Sequence, residues 1–298
     1  PKAKFIITER NITDNIIGTN GDEVLNGLLF GQVRNATVNV SGGSINAGGG
    51  TGSQDGDAIH FKNGTYNGAE VNISNITVKS DGDEAIDFQG EVRSGSAVRI
   101  NGGTYQGGNN GIEFADIAGN IGINGSFSTP VVITGQGTDK RGINMLGEIS
   151  GTVYIGHANI TGGDDGIGSN DSQNNSINAC NLFVANSKIT GINGNGIELG
   201  KLKNGATTSF GGNEIIAGDS GVNFKGDIDD STVNVTLNNI LAANHGVVAT
   251  DVEFSNGTTI NVKNNTKIHA ATGSGVWLGD NTQGGATVYV SGNSDIST

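Results

Sequence analysis

The stretch VYIGHANITGGDDGI, residues 153–167, contains the two patterns that decide the fold. Its first half alternates apolar and polar residues, beginning with Val153 and Ile155, as in a short strand with one buried face. Its second half ends in a small residue followed by an aliphatic one, Gly166 and Ile167, and we call the aliphatic residue the anchor. Both patterns recur along the chain, and such self-similarity is the signature of a repeat architecture.

Successive anchors are about 27 residues apart, because eight intervals cover the 217 residues between Ile59 and Val276. Strand-like segments such as VNVSGGSI, VRINGGTY and VNVTLNNI lie between the anchors, and helical periodicity is absent. Two or three short strands per repeat cannot form a core alone, but they can do so when each strand pairs with its equivalent in the next repeat. The anchors in this part of the chain are Ile59, Ile86, Ile112, Ile143, Ile167, Ile197, Val222, Val247 and Val276.

The repeat therefore predicts an all-β fold, a single parallel β-helix (solenoid) of about ten coils over residues 1–298, each coil of roughly 27 residues. The helix is expected to be right-handed, because parallel crossovers almost always are. Glycine before the anchor is expected to adopt a positive φ at a corner, and asparagines at equivalent turns are expected to form ladders. Four phenylalanines lie two residues after an anchor and are predicted to point inward and stack: Phe61, Phe88, Phe114 and Phe224.

The composition excludes several function classes. The chain has 16 Lys and Arg against 29 Asp and Glu, and the net charge of -13 repels phosphate backbones and anionic membranes, so no nucleic-acid partner is expected. No apolar run has the roughly 18 residues of a membrane span, so no membrane insertion is expected. The single cysteine, Cys180, excludes an internal disulfide and is predicted to be a buried, inert thiol.

The GDDGI and NGI steps, together with the V-x-I strands, resemble the parallel β-helix repeats of the pectate lyase and polygalacturonase superfamily and of bacterial adhesin passengers. The resemblance covers essentially the whole chain. It implies the fold, whereas the superfamily contains lyases, hydrolases, epimerases and non-catalytic adhesins alike. The Gly-His-Gly and Arg-x-Lys steps that accompany the Asp-Asp pair of polygalacturonases are missing here.

Two rows of polar residues flank the anchors and carry the enzymatic alternative. The row before the anchor includes Asp165, and its varied equivalents suggest a solvent-facing corner. In the row after the anchor, Asp87 and Glu113 are expected on neighbouring coils, which could bring them to roughly the 5 to 5.5 Å separation used by retaining glycosidases, with wider pairs available for inversion. Under this reading Asp87, Glu113 and Asp165 are the catalytic candidates of a polysaccharide lyase or hydrolase, although any acidic β-helix produces such pairs.

Metal and cofactor signals are few. GTNGDEVLNG, residues 18–27, resembles one calcium-binding nonapeptide of the RTX type, which makes Asp22 and Glu23 candidate calcium ligands. Only one copy exists, and the segment also reads as an ordinary coil. The four histidines have no metal-ligand spacing in the sequence and are expected to be solvated turn residues, so no cofactor other than calcium is expected.

Aromatic residues at outward strand positions indicate a contact surface. By the alternation of the strands, Tyr154, Phe183 and Trp277 point outward. Exposed aromatics on adjacent coils suit either sugar stacking or lateral protein packing, and a covering loop is the alternative.

Both ends of the chain read as strands, with no amphipathic capping helix, so the β-helix is expected to have open strand edges. Either the chain is a segment of a longer protein, or copies stack end to end. The favoured interpretation is a secreted or surface-displayed bacterial structural or adhesive protein, whose partners are further copies of itself and a cell-surface polysaccharide. The alternative is the polysaccharide-acting enzyme.

Overall fold

The computed structural model describes residues 3–13, 27–48, 56–169, 176–279, 281–282 and 284–298. Throughout these residues the regular elements are β-strands, and all of the strand pairs are parallel, for example Ile112–Phe114 with Ile86–Phe88. Strands of one coil pair with their equivalents in the next coil, about nine turns of roughly 27 residues each. The predicted parallel solenoid is confirmed.

Three groups of strands, numbered in chain order, run along the rod. The anchor sheet has ten strands, in the order β2-β5-β9-β12-β15-β18-β22-β26-β30-β34. It comprises β2 (Leu28–Phe30), β5 (Ile59–Phe61), β9 (Ile86–Phe88), β12 (Ile112–Phe114), β15 (Ile143–Met145), β18 (Ile167–Ser169), β22 (Ile197–Leu199), β26 (Val222–Phe224), β30 (Val247–Ala249) and β34 (Val276–Leu278).

A narrow side row follows the anchor sheet in each coil, and isolated bridges at Val92, Ile117 and Ile149 connect its two groups of strands. Its strands are β3 (Val33–Arg34), β6 (Thr65–Tyr66), β19 (Ser176–Asn178), β23 (Lys201–Lys203), β27 (Ile228–Asp229), β31 (Glu253–Ser255) and β35 (Asn281–Thr282). Many coils therefore contain four strands, where the sequence predicts two or three.

The long sheet has twenty strands and forms two arms that meet at a corner. β1 (Ala3–Thr13) and β4 (Ala36–Ala47) run through both arms. The first arm continues with β7 (Glu70–Ser74), β10 (Ala97–Asn101), β13 (Asn120–Asn124), β16 (Thr152–Gly156), β20 (Asn181–Ala185), β24 (Thr207–Gly211), β28 (Thr232–Thr236), β32 (Thr259–Lys263) and β36 (Thr287–Ser291). The second arm continues with β8 (Thr77–Ser80), β11 (Thr104–Gly107), β14 (Val131–Gly135), β17 (Ala158–Gly162), β21 (Lys188–Gly191), β25 (Glu214–Ala217), β29 (Asn239–Ala242), β33 (Lys267–Ala270) and β37 (Ile296–Ser297).

The core consists of columns of like residues, one from each coil. Stacked rings of Phe30, Phe61, Phe88 and Phe114 have centroids 4.8, 4.5 and 5.0 Å apart in succession. Phe224 is fully buried further along the same column, so the inward phenylalanines are confirmed. Separations of this size are those of stacked aromatic pairs, and each pair adds about 0.5–1.5 kcal/mol beyond its area burial.

The predicted asparagine ladder lies at the corner of the long sheet. The Nδ2 atom of Asn213 donates to Oδ1 of Asn238 (3.1 Å), Asn238 donates to Asn265 (3.1 Å), and Asn265 donates to Asn293 (2.8 Å). Each Oδ1 also accepts the main-chain N–H of the preceding member, as Asn238 does from Asn213 (2.9 Å). These bonds satisfy polar groups that the corner removes from water, as buried polar groups require.

The glycines before the anchors have a different role from the predicted one. Positive φ values occur elsewhere, often at asparagines such as Asn75 and Asn186, and not at Gly166 or its equivalents. A Cβ on Gly166 would lie 2.5 Å from Cγ2 of Ile189 and 2.7 Å from the carbonyl oxygen of Gly196. Glycine is therefore required here because adjacent coils approach too closely for any side chain.

The remaining sequence expectations concern Cys180 and membranes. Cys180 is buried, as predicted, and burial raises the pKa of its thiol to about 12. Among the described residues, none lies in a helix long and apolar enough to cross a bilayer.

Candidate functional site

The most conspicuous polar feature is a ribbon of side chains that runs along the outside of the anchor sheet. One row lies just before the anchor strands, and the other contains the central residue of each strand, where Asp87 pairs with Glu113 and Glu113 with Asn144. We call these two rows the polar ribbon. Its members are Asp57, His60, Glu84, Asp87, Asn110, Glu113, Arg141, Asn144, Asp165, Asn195, Glu198, Ser220 and Asn223.

Within a coil, a residue of the first row contacts the second-row residue three positions later. Nδ2 of Asn110 donates to Oε2 of Glu113 (2.9 Å), and Nδ2 of Asn195 donates to Oε2 of Glu198 (2.7 Å). Between coils, Nδ2 of Asn144 donates to the same Oε2 of Glu113 (2.8 Å). Because the strands are in register, hydrogen bonds connect the ribbon from coil to coil between Asp57 and Ser220.

The burial of the ribbon corrects the predicted solvent-facing corner. Asp165 is only 1% exposed, and its first-row equivalents Asp57, Glu84, Asn110 and Asn195 are also buried. The residue type at these positions changes from coil to coil, because each buried polar group must match a donor or acceptor on the adjacent coil. These side chains are held within the protein's own network, and they do not face bulk water.

The N-terminal part of the ribbon is strongly acidic. Nδ1 of His60 lies 2.6 Å from Oδ2 of Asp57 and 3.0 Å from Oδ2 of Asp87. Burial opposes the charged ring, but hydrogen bonds to the two carboxylates outweigh it and raise the pKa of His60 to about 9. Burial also raises the pKa of the carboxyls of Asp57 and Glu84. The expectation that every histidine is a solvated turn residue is therefore wrong for His60, which is buried.

Glu113 combines partial exposure with a pKa suited to proton transfer. Burial, opposed in part by the bond from Asn144 and reinforced by the charge of Asp87, raises the pKa of Glu113 to about 7. A carboxylic acid that titrates near neutrality can act as a general acid. The structure thus brings together two of the three catalytic candidates, Asp87 and Glu113, on adjacent strands.

The third candidate, Asp165, lies on a later coil and is fixed by three donors. Oδ1 accepts from the main-chain N of Asn195 (2.7 Å) and from its Nδ2 (3.0 Å), and Oδ2 accepts from Nε of Arg141 (3.0 Å). The same guanidinium donates through Nη1 to Asn144 and through Nη2 to Glu198, each at 3.0 Å. Arg141 therefore contacts a side chain that lies 57 residues further along the sequence.

Gly168 explains how the arginine fits. It occupies the central position of β18, where the neighbouring strands carry Asn144 and Glu198. A Cβ at this position would overlap the guanidinium group of Arg141. The sequence pattern does not predict this arrangement, and its available signal is a glycine in a row that carries polar side chains on the neighbouring coils.

A polar cavity of about 370 Å³ opens beside this arginine. Nζ of Lys225 lies 2.8 Å from Oε2 of Glu198 at its edge. Burial raises the pKa of Asp164, and the charge of Asp165 adds to this effect. We call this cavity the acidic pocket, and it is lined by Arg141, Asp164, Asp165, Asn193, Gly194, Asn195, Glu198, Asp219 and Lys225.

Side chains that could ligate a metal occur at the N-terminal end of the ribbon. One ligand atom each from Asp57, His60 and Asp87 lie within 4.8 Å of one another, and so do atoms from Asp57, Asp83 and Glu84. Imidazole with carboxylates suits transition metals better than calcium, which prefers oxygen ligands. The sequence-predicted calcium candidates Asp22 and Glu23 lie outside the described residues.

The three outward aromatics do not form one surface. Tyr154 and Phe183 are paired in register on the first arm of the long sheet. Trp277 lies on the anchor sheet, where its ring packs edge-on against His245 with centroids 5.1 Å apart. The predicted surface is therefore a Tyr154–Phe183 pair and a separate tryptophan.

No family model matches the chain, and neither the curated proteins nor the solved structures contain a significant match to it.

Proposed function

We propose that this protein is a structural or adhesive β-helix that is secreted or displayed on a bacterial surface and that stacks end to end with further copies. The observation that carries this proposal is the last coil. Val288, Val290 and Ile296 occupy core columns but are 36 to 45% exposed, whereas the residues with which they pair in the preceding coil are fully buried.

The opposite end has a complementary face. Phe5 lies in the same kind of core column, in register with Val38, and is exposed. Since both faces are cross-sections of one solenoid, β1 of one copy can pair in parallel with β36 of another. Such a contact is heterologous and does not close, so it generates a filament along the rod axis.

Burial of the exposed columns favours this contact. Fully burying a valine or isoleucine stabilises a structure by about 1.5–3 kcal/mol, so each of the three half-exposed side chains contributes about 1 kcal/mol. Main-chain hydrogen bonds along the open edge add to this and fix the register.

Negative-stain electron microscopy and light scattering of the purified chain test the proposal. We expect linear rods with an axial repeat of roughly 53 Å, because the eleven strands of the first arm in each copy follow one another at about 4.8 Å. Val290→Lys, which places a charge in the open core column, should leave monomers. Thr287→Lys on the outward face of the same strand is the matched control and should still polymerise. A wild-type chain that remains monomeric at high concentration would contradict end-to-end stacking.

The surface location and the adhesive role form part of the same proposal. Antibodies raised against the purified chain should label the exterior of intact cells of the source bacterium. Labelling only after the cells are permeabilised would argue against display.

A second candidate, a polysaccharide lyase or hydrolase, is favoured by one specific observation: Glu113, with a pKa near 7, adjoins Asp87 on the neighbouring strand. Release of reducing ends and of unsaturated products from acidic and neutral glycans between pH 4 and 9 tests this function. Removal of a general acid typically costs about 10²–10⁴-fold in rate, so Glu113→Gln should abolish most of such an activity. If Asp165→Ala leaves a demonstrated activity unchanged, that carboxylate is scaffold.

A further inference from the structure

One corner of the long sheet departs from the repeat. The two arms are joined by His157 alone between β16 and β17, and by two residues between β20 and β21 and between β24 and β25. Between β13 and β14 the connection has six residues, 125–130, with the sequence GSFSTP. This insertion forms a loop on the side of the rod, away from the polar ribbon and from both ends.

The loop is fixed by its own hydrogen bonds. The main-chain N of Ser126 donates to the carbonyl of Thr129 (3.0 Å), and the N of Thr129 donates back to Ser126 (3.2 Å). The Oγ of Ser126 also lies 2.6 Å from Oγ1 of Thr129. At its tip Phe127 is 96% exposed. The loop therefore displays a phenyl ring on a preorganised support, which lowers the entropic cost of a contact.

A groove of about 590 Å³ begins at this loop and follows the corner across the next three coils. Three coils correspond to roughly 14 Å along the rod. Gly212 contributes no side chain to the groove, and a Cβ there would lie 2.7 Å from Oδ1 of Asn186. The other corner residues that line it are His157, Asn159, Ser187, Lys188 and Glu214.

The groove is uncharged overall and presents polar and apolar surface in similar amounts. His157, Asn159 and Asn186 offer hydrogen-bond donors and acceptors. Nζ of Lys188 lies 3.4 Å from Oε2 of Glu214, so the two charges in the groove compensate each other. This neutral patch lies on a chain with a net charge of -13, which disfavours anionic ligands over the whole surface.

We propose that this groove binds a neutral oligosaccharide of about three sugar residues, with the ring of Phe127 stacked on the apolar face of a terminal pyranose. The hydroxyl groups of a sugar match the mixed donors and acceptors, and its C–H face matches an exposed aromatic ring. The site goes beyond the proposed assembly and does not depend on it, because the loop and the groove lie on the side of each copy.

A glycan array that contains neutral and acidic oligosaccharides tests this site, followed by calorimetry with the best-bound glycan. The assays use the Val290→Lys background, so that loss of stacking and loss of glycan binding are distinguishable. We expect binding to neutral glycans, and Phe127→Ala and Asn159→Ala should each weaken it at least tenfold. Both side chains are exposed, so the fold should be unaffected.

Leu237→Ala provides the matched control. Leu237 is an exposed apolar residue at the same corner, but it lies outside the groove. Its substitution should leave the affinity unchanged. Binding to acidic glycans alone, no binding on the array, or equal losses from Phe127→Ala and Leu237→Ala would each overturn the proposal.

Discussion

Asn238→Ala gives the sharpest test of the stacked corner. Asn238 is fully buried, and its Oδ1 accepts from the main-chain N of Asn213 (2.9 Å) and from Nδ2 of Asn213 (3.1 Å). Its own Nδ2 donates to the carbonyl of Phe210 (2.9 Å). Truncation to alanine removes the Asn238 partner of three buried groups, which are the main-chain N–H and Nδ2 of Asn213 and the carbonyl of Phe210.

The magnitude follows from these lost partners. An unsatisfied buried donor or acceptor costs about 1–3 kcal/mol, so three of them should lower the free energy of unfolding by at least about 3 kcal/mol. The control is Asn261→Ala, because Nδ2 of Asn261 donates to Oδ1 of Asn234 (2.9 Å) in a similar ladder on the outer face. Water can replace that bond, and the expected loss is below about 1 kcal/mol.

Urea unfolding followed by circular dichroism measures both variants. Since solenoids can unfold in segments, hydrogen exchange should also be measured peptide by peptide. In Asn238→Ala, the protection of main-chain amides against hydrogen exchange should fall first in β24, β28 and β32. Losses of stability that agree within about 1 kcal/mol for the two variants would refute the argument that burial determines the value of an asparagine ladder.

Three further predictions concern the core and the polar ribbon. Phe88→Ala should lower the free energy of unfolding, measured in urea, by about 3–5 kcal/mol. Phe30→Ala should lower it by less, because Phe30 is only partly buried at the end of the ring stack. Equal losses from the two variants would contradict this. Gly168→Ala places a Cβ against the guanidinium end of Arg141 and should weaken its pairing with the buried carboxylates. The melting temperature should fall, but by less than on removal of Arg141 itself, which costs about 3–5 kcal/mol; an unchanged melting temperature would contradict this. Burial chiefly raises the pKa of Glu113 to about 7, and carboxylate contacts outweigh burial to raise that of His60 to about 9. In both cases the folded chain retains a proton that the unfolded chain has already lost, so stability should fall from about pH 4.5 towards pH 9. A urea midpoint that rises with pH over this range would contradict those shifts.

The parallel stacking, the inward phenylalanines and the asparagine ladder could be predicted from the sequence, because they depend only on a period of about 27 residues and on alternation within strands. The sequence also predicts the positions of the two polar rows around the anchors, but it does not predict that their side chains are buried. Whether Asp165 faces water depends on Arg141 and Asn195 in neighbouring coils, and a pattern within one coil does not contain that information.

Other features follow from tertiary contacts that leave no periodic trace. The sequence predicts Gly166 to be a turn residue, whereas the structure shows that the close approach of Ile189 leaves no room for a side chain there. His60 has no metal-ligand spacing, yet Asp87 lies next to it because the chain returns after one turn. Phe127 lies in an insertion that interrupts the repeat. The repeat pattern therefore does not predict its position.

The coil-to-coil pairing has a mechanical consequence. In its strand pairing each turn contacts only the turns before and after it, so tension applied to the two termini would act on the outermost coil first. Coils would then detach one at a time, and each would release a contour length of roughly 90 Å for its 27 residues. The rod would yield in small, repeated steps and would dissipate a load gradually.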